Sequence, residues 1–101
     1  MIYTINEIKQ KIQPIAVKYN LPAVYIFGSY ARNEATENSD VDILIDKTGS
    51  KVKTLFDMGG LYNDLCEILT KKIDLITTYS LINDNDNFKE RVMKEKVTIY
   101  E

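Results

Sequence analysis

Apolar residues recur at three- and four-residue steps along the first part of the chain. The series is Ile5, Ile8, Ile12, Ile15 and Tyr19. This spacing places their side chains on one face of a helix, and Thr4 with Glu7 three residues later is a capping box that would start it. Pro14 lies inside the pattern. Because proline removes a backbone donor and clashes with the preceding turn, we expect the helix to kink or split there.

Short apolar runs with β-branched residues predict strands at residues 23–27, 41–45 and 73–77. The first has no regular alternation of polar and apolar residues, which is typical of a strand buried on both faces. Residues 97–100 are predicted to form a last strand at the edge of the sheet.

A longer helical stripe is predicted over residues 51–70, with Ser50 as its N-cap and Gly59-Gly60 as an interruption. The stripe is Val52, Leu55, Met58, Leu61 or Tyr62, Leu65 and Leu69. Shorter helical segments are predicted at residues 30–34 and, after a polar loop and helix start at 83–87, around Phe88, Val92 and Met93. The resulting order of elements predicts an α/β (α+β) fold, a small mixed sheet with helices packed on it, in a single domain over residues 1–101.

The amino-acid composition excludes several catalytic mechanisms and classes of binding partner. The chain has 101 residues, with 13 Lys and Arg against 15 Asp and Glu, no His and one Cys. This balance gives no general attraction to nucleic acid or to an anionic membrane. Without His, the Ser-His-Asp and Cys-His mechanisms are excluded, and a structural zinc site is nearly so. The lone Cys66, the lack of a long apolar run and the lack of a signal-peptide pattern lead us to expect a cytoplasmic protein.

Two carboxylates open the second predicted strand. Asp40 and Asp42 alternate with Val41, so they project from the same face and lie about 7 Å apart along the strand. Their repulsion would be relieved by a divalent metal such as Mg²⁺. The alternative interpretation is a sheet edge that carries two solvated acids and no metal. Asp74 is a third acid, within the apolar strand at 73–77. If that strand neighbours the strand at 41–45, the three carboxylates can converge on one site.

Gly28-Ser29 follows the first strand and precedes a predicted helical turn. Glycine permits close backbone approach or a positive φ, and the amides of such a turn, together with a Ser hydroxyl, form a cradle for an anion. Arg32 has two interpretations: it contacts phosphate, or it pairs with Asp40 or Glu34.

Together these motifs resemble the signature of the DNA polymerase β-like nucleotidyltransferase superfamily. The matching stretches are residues 27–32 (Phe-Gly-Ser-Tyr-Ala-Arg) and 39–44 (Ser-Asp-Val-Asp-Ile-Leu), with ten residues between Ser29 and Asp40. The chain looks in particular like the minimal nucleotidyltransferase (MNT) proteins of bacteria and archaea, which are about this short. Two positions depart from the family pattern: Tyr30 stands where Arg is frequent, and Asn33 where Gly is frequent.

The resemblance implies a polymerase β-like fold and nucleotidyl transfer. Asp40 and Asp42 would hold two Mg²⁺ ions, and Asp74 would help to hold the metal that activates the attacking hydroxyl. Gly28 and Ser29 would bind the β- and γ-phosphates of ATP, the co-substrate. A metal pair suits this reaction because it stabilises both the entering and the leaving oxygen.

The resemblance also suggests the acceptor. Aminoglycoside-modifying and RNA-tailing members of the superfamily carry additional domains that this sequence does not show, so we expect another chain to present the acceptor. MNT proteins typically act beside HEPN-type toxins, as antitoxins that transfer AMP to a tyrosine of the toxin, with a possible hetero-oligomer between the two. Two alternatives stay open: a non-catalytic antitoxin that neutralises its partner by stoichiometric contact, and a small-molecule nucleotidyltransferase.

Overall fold

The computed structural model describes residues 2–83 and 86–101, with Asp86 described by its backbone alone. Five helices and four strands lie in this part of the chain. The helices are α1 (Ile5–Lys18), α2 (Gly28–Ala31), α3 (Leu55–Leu69), α4 (Thr78–Ile82) and α5 (Asp86–Glu95). The strands are β1 (Ala23–Phe27), β2 (Val41–Asp46), β3 (Ile73–Thr77) and β4 (Val97–Tyr100). The predicted loop at 83–87 lies partly outside the described residues, and the single domain over 1–101 stays a prediction.

The strands form one sheet in the order β3-β2-β1-β4. β1 pairs antiparallel with β2 and with β4, whereas β2 pairs parallel with β3. The predicted small mixed sheet is therefore confirmed, and β4 lies at its edge as expected. The parallel pair brings together the starts of β2 and β3, beside the end of the antiparallel strand β1.

Each face of the sheet packs against its own hydrophobic cluster. Val41, Ile43 and Ile45 of β2 face the larger cluster, which α1 and α3 cover. Leu44, which alternates with them, belongs to a smaller cluster with residues of α4 and α5. Because successive side chains on a strand point to opposite faces, Asp42 projects on the same side as Leu44.

Helix α1 begins with the predicted capping box. The Thr4 hydroxyl accepts a hydrogen bond from the Glu7 amide, and the Glu7 carboxylate accepts one from the Thr4 amide. Of the kink or split expected at Pro14, the split does not occur, since one helix runs from Ile5 to Lys18. Pro14 and Gln10, whose carbonyl loses its helical donor, are both exposed, so water can satisfy that carbonyl.

Helix α3 begins later than predicted. Its N-cap is Thr54, which forms a capping box with Asp57, whereas the Ser50 side chain accepts from the Val52 amide and tightens the preceding loop. The prediction that Leu55 belongs to the apolar stripe of this helix is consequently wrong, because Leu55 is 89% exposed.

Two short helices also differ from the predictions. Helix α2 begins two residues earlier than the predicted turn, at Gly28, and α4 was not predicted at all. A segment of four or five residues is too short for helical periodicity to reveal it. Within the described residues, none of the helices has both the length and the apolar character needed to cross a membrane.

The glycine pair in α3 gives a first testable prediction. A Cβ at Gly59 would meet no atom within 4 Å, so Gly59→Ala should raise the free energy of unfolding by about 0.5–1 kcal/mol through lower backbone entropy in the unfolded chain. Gly60→Ala is the matched control, because its Cβ would lie 3.2 Å from the Tyr19 hydroxyl. Urea unfolding should show a gain for Gly59→Ala and a smaller gain or a loss for Gly60→Ala. Equal gains would contradict this account.

Candidate active site

Two carboxylates lie side by side on neighbouring strands. Asp42 of β2 is the direct partner of Asp74 of β3 in the parallel register. Neighbouring strands are about 4.8 Å apart, and residues in register point to the same face, so both side chains emerge together at the starts of their strands. The expectation that β3 neighbours β2 is confirmed.

Asp40 lies just outside the strand. β2 begins at Val41, as the predicted strand does, so Asp40 directly precedes its first residue. Asp40 is exposed, Asp42 is half-buried and Asp74 is exposed. Asp42 is thus the least exposed of the three acids. Asp40 precedes it by two residues in the chain, and Asp74 is its partner on the neighbouring strand.

Gly28 lies directly against Asp42. Phe27, the last residue of β1, is the register partner of Asp42, and Gly28 follows it with a φ of +72°. A Cβ at Gly28 would overlap the Oδ2 atom of Asp42 and lie 3.0 Å from its Cγ atom. The glycine is therefore required twice, for its left-handed backbone conformation and for the space that the Asp42 carboxylate occupies.

The turn after Gly28 is closed by backbone hydrogen bonds. The Arg32 amide donates to the Gly28 carbonyl over 3.0 Å, and the Glu34 amide donates to the Ser29 carbonyl over 2.8 Å. Asn33 adopts a φ of +59°, a left-handed conformation that asparagine tolerates, which explains how it can replace the frequent glycine. Ser29 is half-buried at the start of α2, one residue from the Gly28–Asp42 contact.

Tyr30, the other departure from the family pattern, is part of the core. It is 4% exposed and packs in the larger hydrophobic cluster. Its side chain therefore points away from solvent. Within the described residues, its hydroxyl is buried with no hydrogen-bond partner.

Arg32 forms ion pairs with two glutamates. Its Nε donates to Glu34 over 2.8 Å, and its Nη1 donates to Glu95 over 2.9 Å. Of the interpretations left open, pairing with Glu34 is confirmed, and no ion pair joins Arg32 to Asp40 among the described residues. The guanidinium remains close enough to lower the pKa of Asp42.

Burial and like charges act together on Asp42. Desolvation is the largest cause that raises its pKa, and the charges of Asp74 and Asp40 raise it further, to about 6. The carboxylate is thus held in a place where a negative charge is unfavourable. A cation near Asp42 would remove this penalty.

The donor chemistry suits a hard divalent cation, because carboxylate oxygens are the ligands that Mg²⁺ selects. Among residues 2–83 and 86–101, no group of three or more His, Cys, Asp or Glu side chains is already arranged to hold a metal ion. The in-register pair of Asp42 and Asp74 supplies two carboxylates on one face. Asp40, which is exposed and lies two residues before Asp42, is the candidate for a third.

The raised pKa of Asp42 predicts a pH dependence of stability in the absence of metal. Its pKa of about 6 in the folded protein exceeds the usual 3.8 of an aspartate, so its contribution to stability is complete below about pH 4 and is lost as the pH rises through 6. In a chelator, the free energy of unfolding of the native chain should therefore fall relative to that of Asp42→Asn between pH 4 and pH 7. A difference between the two that does not change with pH would contradict the prediction.

Glu95 is the residue of this region that the sequence did not indicate. It ends α5, and its carboxylate accepts hydrogen bonds from the Gly28 amide and from Arg32. The separation of 67 residues between Gly28 and Glu95 leaves no local pattern that could have linked them. Only the packing of α5 against the turn reveals the contact.

In sequence the chain is similar to known nucleotidyltransferases. The family model described as "Polymerase beta, Nucleotidyltransferase" matches residues 10–101. A candidate protein adenylyltransferase of Methanocaldococcus jannaschii is 42% identical over 95 residues, which cover 94% of this chain and 97% of that protein.

Solved structures share the fold. A candidate minimal nucleotidyltransferase superposes with a TM-score of 0.71 at 24% identity, covering 94% of this chain and 95% of that one. A chain from the complex of a tri-AMPylated Shewanella oneidensis HEPN toxin with MNT antitoxin gives a TM-score of 0.65 at 19% identity, covering 96% and 72%. The predicted polymerase β-like fold is confirmed, and this chain belongs to the polymerase β nucleotidyltransferase family.

Proposed function

We propose that this protein is a Mg²⁺-dependent adenylyltransferase that transfers AMP from ATP to a hydroxyl group of a HEPN-type toxin, and that it thereby acts as the antitoxin. The observation that carries the proposal is the register of Asp42 with Asp74 beside the Gly28-Ser29 turn. The relative named for adenylyl transfer to protein supports the reaction. The complex of an AMPylated HEPN toxin with MNT antitoxin supports the partner.

In this proposal the acids and the turn have separate roles. Asp42 and Asp74, with Asp40, would hold two Mg²⁺ ions, which when bound would neutralise charge on the triphosphate and polarise the α-phosphoryl group. Ser29 binds the β- and γ-phosphates through its amide and its hydroxyl, and Gly28, which has no side chain, lets them approach the backbone closely. Arg32 lies on the same turn and adds a positive charge beside the phosphates.

The transfer is a displacement at the α-phosphorus. The acceptor oxygen forms a bond to that phosphorus, the bond to the β-phosphate oxygen breaks, and pyrophosphate leaves. Asp74 is exposed and takes the proton of the attacking hydroxyl in this scheme. The chain needs no His for this chemistry, because positioning and charge neutralisation supply most of the acceleration. The proposed acceptor is a tyrosine, and the proposed compartment is the cytoplasm.

The test is label transfer to a HEPN partner. The protein, Mg²⁺ and the partner are incubated in parallel with ATP labelled at the α-phosphate and with ATP labelled at the γ-phosphate. We expect label on the partner only from the α-phosphate, a mass increase of one or more AMP groups, and modification of tyrosine. Neutralisation of the toxin without any label would instead favour the non-catalytic antitoxin, and label on an aminoglycoside in the absence of a partner would favour the small-molecule enzyme.

A further inference from the structure

The end of α5 contacts the proposed phosphate-binding turn through one side chain. Glu95 accepts a hydrogen bond from the Gly28 amide on Oε1 and one from Arg32 Nη1 on Oε2, both over 2.9 Å. One carboxylate therefore holds the first residue of α2 and the residue that caps its end.

The contact is partly shielded from solvent. The Glu95 side chain is 16% exposed, compared with 65% for Glu34, the other glutamate that pairs with Arg32. Burial by itself would raise the pKa of Glu95, but the hydrogen bonds from Arg32 and Gly28 outweigh it and keep this pKa below its usual value. Glu95 is thus charged at neutral pH and forms charge-assisted hydrogen bonds, which are the stronger kind.

The contacts of the turn leave part of the Arg32 guanidinium, whose side chain is 45% exposed, for a ligand. The Gly28 amide points to Glu95 on α5, whereas the position of a Gly28 Cβ would lie against Asp42. Arg32 uses Nε for Glu34 and Nη1 for Glu95, so neither contact uses Nη2. A phosphate oxygen can therefore reach the guanidinium without displacing either glutamate.

We infer that Glu95 is a positioning residue for the nucleotide: it anchors the Gly28 amide and orients the Arg32 guanidinium so that the turn is already shaped to receive the triphosphate. The inference rests on the proposed function, because the ligand is ATP. Two other roles of Glu95 would give different results. If Glu95 only supported α5, its removal would not change the affinity for nucleotide. If its carboxylate occupied the position of a phosphate group, its removal would increase that affinity.

The experiment compares three variants of the full chain. Glu95→Ala removes both contacts. Glu95→Gln keeps an oxygen that can accept from the Gly28 amide but loses the negative charge that pairs with Arg32. Glu90→Ala is the control, because Glu90 is an exposed glutamate on the same helix. Affinity for the Mg²⁺ complex of AMP-PNP, whose α–β bond can still be broken by adenylyl transfer, is measured by calorimetry in the absence of an acceptor protein. The amide signal of Gly28 is followed by NMR without nucleotide, and thermal unfolding reports on the fold.

For Glu95→Ala we expect AMP-PNP affinity to fall by about tenfold, the effect of one charge-assisted hydrogen bond, together with a shifted Gly28 amide signal. Glu95→Gln should lose less affinity and keep the Gly28 signal near its native position, and Glu90→Ala should match the native chain. In activity assays the KM for ATP should rise more than kcat falls.

Several outcomes would overturn the inference. Unchanged affinity in Glu95→Ala with reduced thermal stability would make the role structural, and increased affinity would make Glu95 a competitor of phosphate. An unmoved Gly28 signal would show that the contact does not hold the turn. Failure of the native chain itself to bind AMP-PNP would be a different result: it would overturn the proposed function, and the role of Glu95 towards nucleotide with it.

Discussion

Replacing Asp42 with Asn is expected to lower the rate of AMP transfer by about a thousandfold, because loss of a metal-holding carboxylate removes several kcal/mol of charge stabilisation in the transition state. Asp42 is the half-buried member of the acidic group and the register partner of Asp74. Asparagine has the same shape but carries no charge to hold a cation. The measurement is the initial rate of α-phosphate label transfer to the partner.

Asp46→Asn is the matched control for this variant. Asp46 lies at the other end of the same strand, where its Oδ1 accepts a hydrogen bond from the Thr48 amide. Its replacement should leave the transfer rate within about twofold of the native value, since surface substitutions away from a site have small effects. Asp42→Asn should also unfold at an equal or higher temperature in a chelator, because it removes an unfavourable half-buried charge. If Asp42→Asn transferred AMP at the native rate, the reaction would not depend on a metal ion held by Asp42.

Gly28→Ala is expected to reduce both stability and activity. At a φ of +72° a side chain costs about 1–2 kcal/mol of strain, and the added Cβ would overlap Asp42 Oδ2. Either Asp42 or the turn must move. A displacement of about 1 Å in a catalytic group can cost about a hundredfold in rate, so we expect at least that loss of transfer.

Gly49→Ala separates the strain from the overlap. Gly49 has a φ of +70°, nearly that of Gly28, but a Cβ there would meet no atom within 4 Å. The left-handed backbone conformation should cost both variants a similar free energy of unfolding. The overlap with Asp42 should cost Gly28→Ala an additional amount. Only Gly28→Ala should lose activity. Native activity in Gly28→Ala would show that the close approach to Asp42 has no catalytic importance.

Regular elements of the fold were predictable from the sequence because each carries a periodic signal. The stripe from Ile5 to Tyr19 and its capping box located α1, and the apolar runs located the strands. The errors have physical causes. Leu55 fits the spacing of the α3 stripe, but it belongs to the first turn of the helix and is exposed. One helix runs through Pro14, because the residue whose carbonyl loses its donor, Gln10, is exposed and water can reach it.

The candidate site was predictable where its residues are close in sequence or repeat on adjacent strands. Asp40, Asp42 and Gly28 belong to one motif, and Asp74 could be linked to them only on the assumption that β3 lies beside β2. The structure supplies that adjacency. Glu95 could not be predicted, because no rule of local spacing connects the end of α5 to the turn after β1. Its role depends on tertiary packing alone.

The most direct test of the central claim is a crystal structure of the protein with AMP-PNP and Mn²⁺, which replaces Mg²⁺ and can be located by anomalous scattering. We expect anomalous peaks within about 2.2 Å of carboxylate oxygens of Asp42 and of Asp74 or Asp40, with the β- and γ-phosphates against Gly28 and Ser29. Manganese and phosphates bound elsewhere, with Asp42 and Asp74 making no contact to metal, would contradict it.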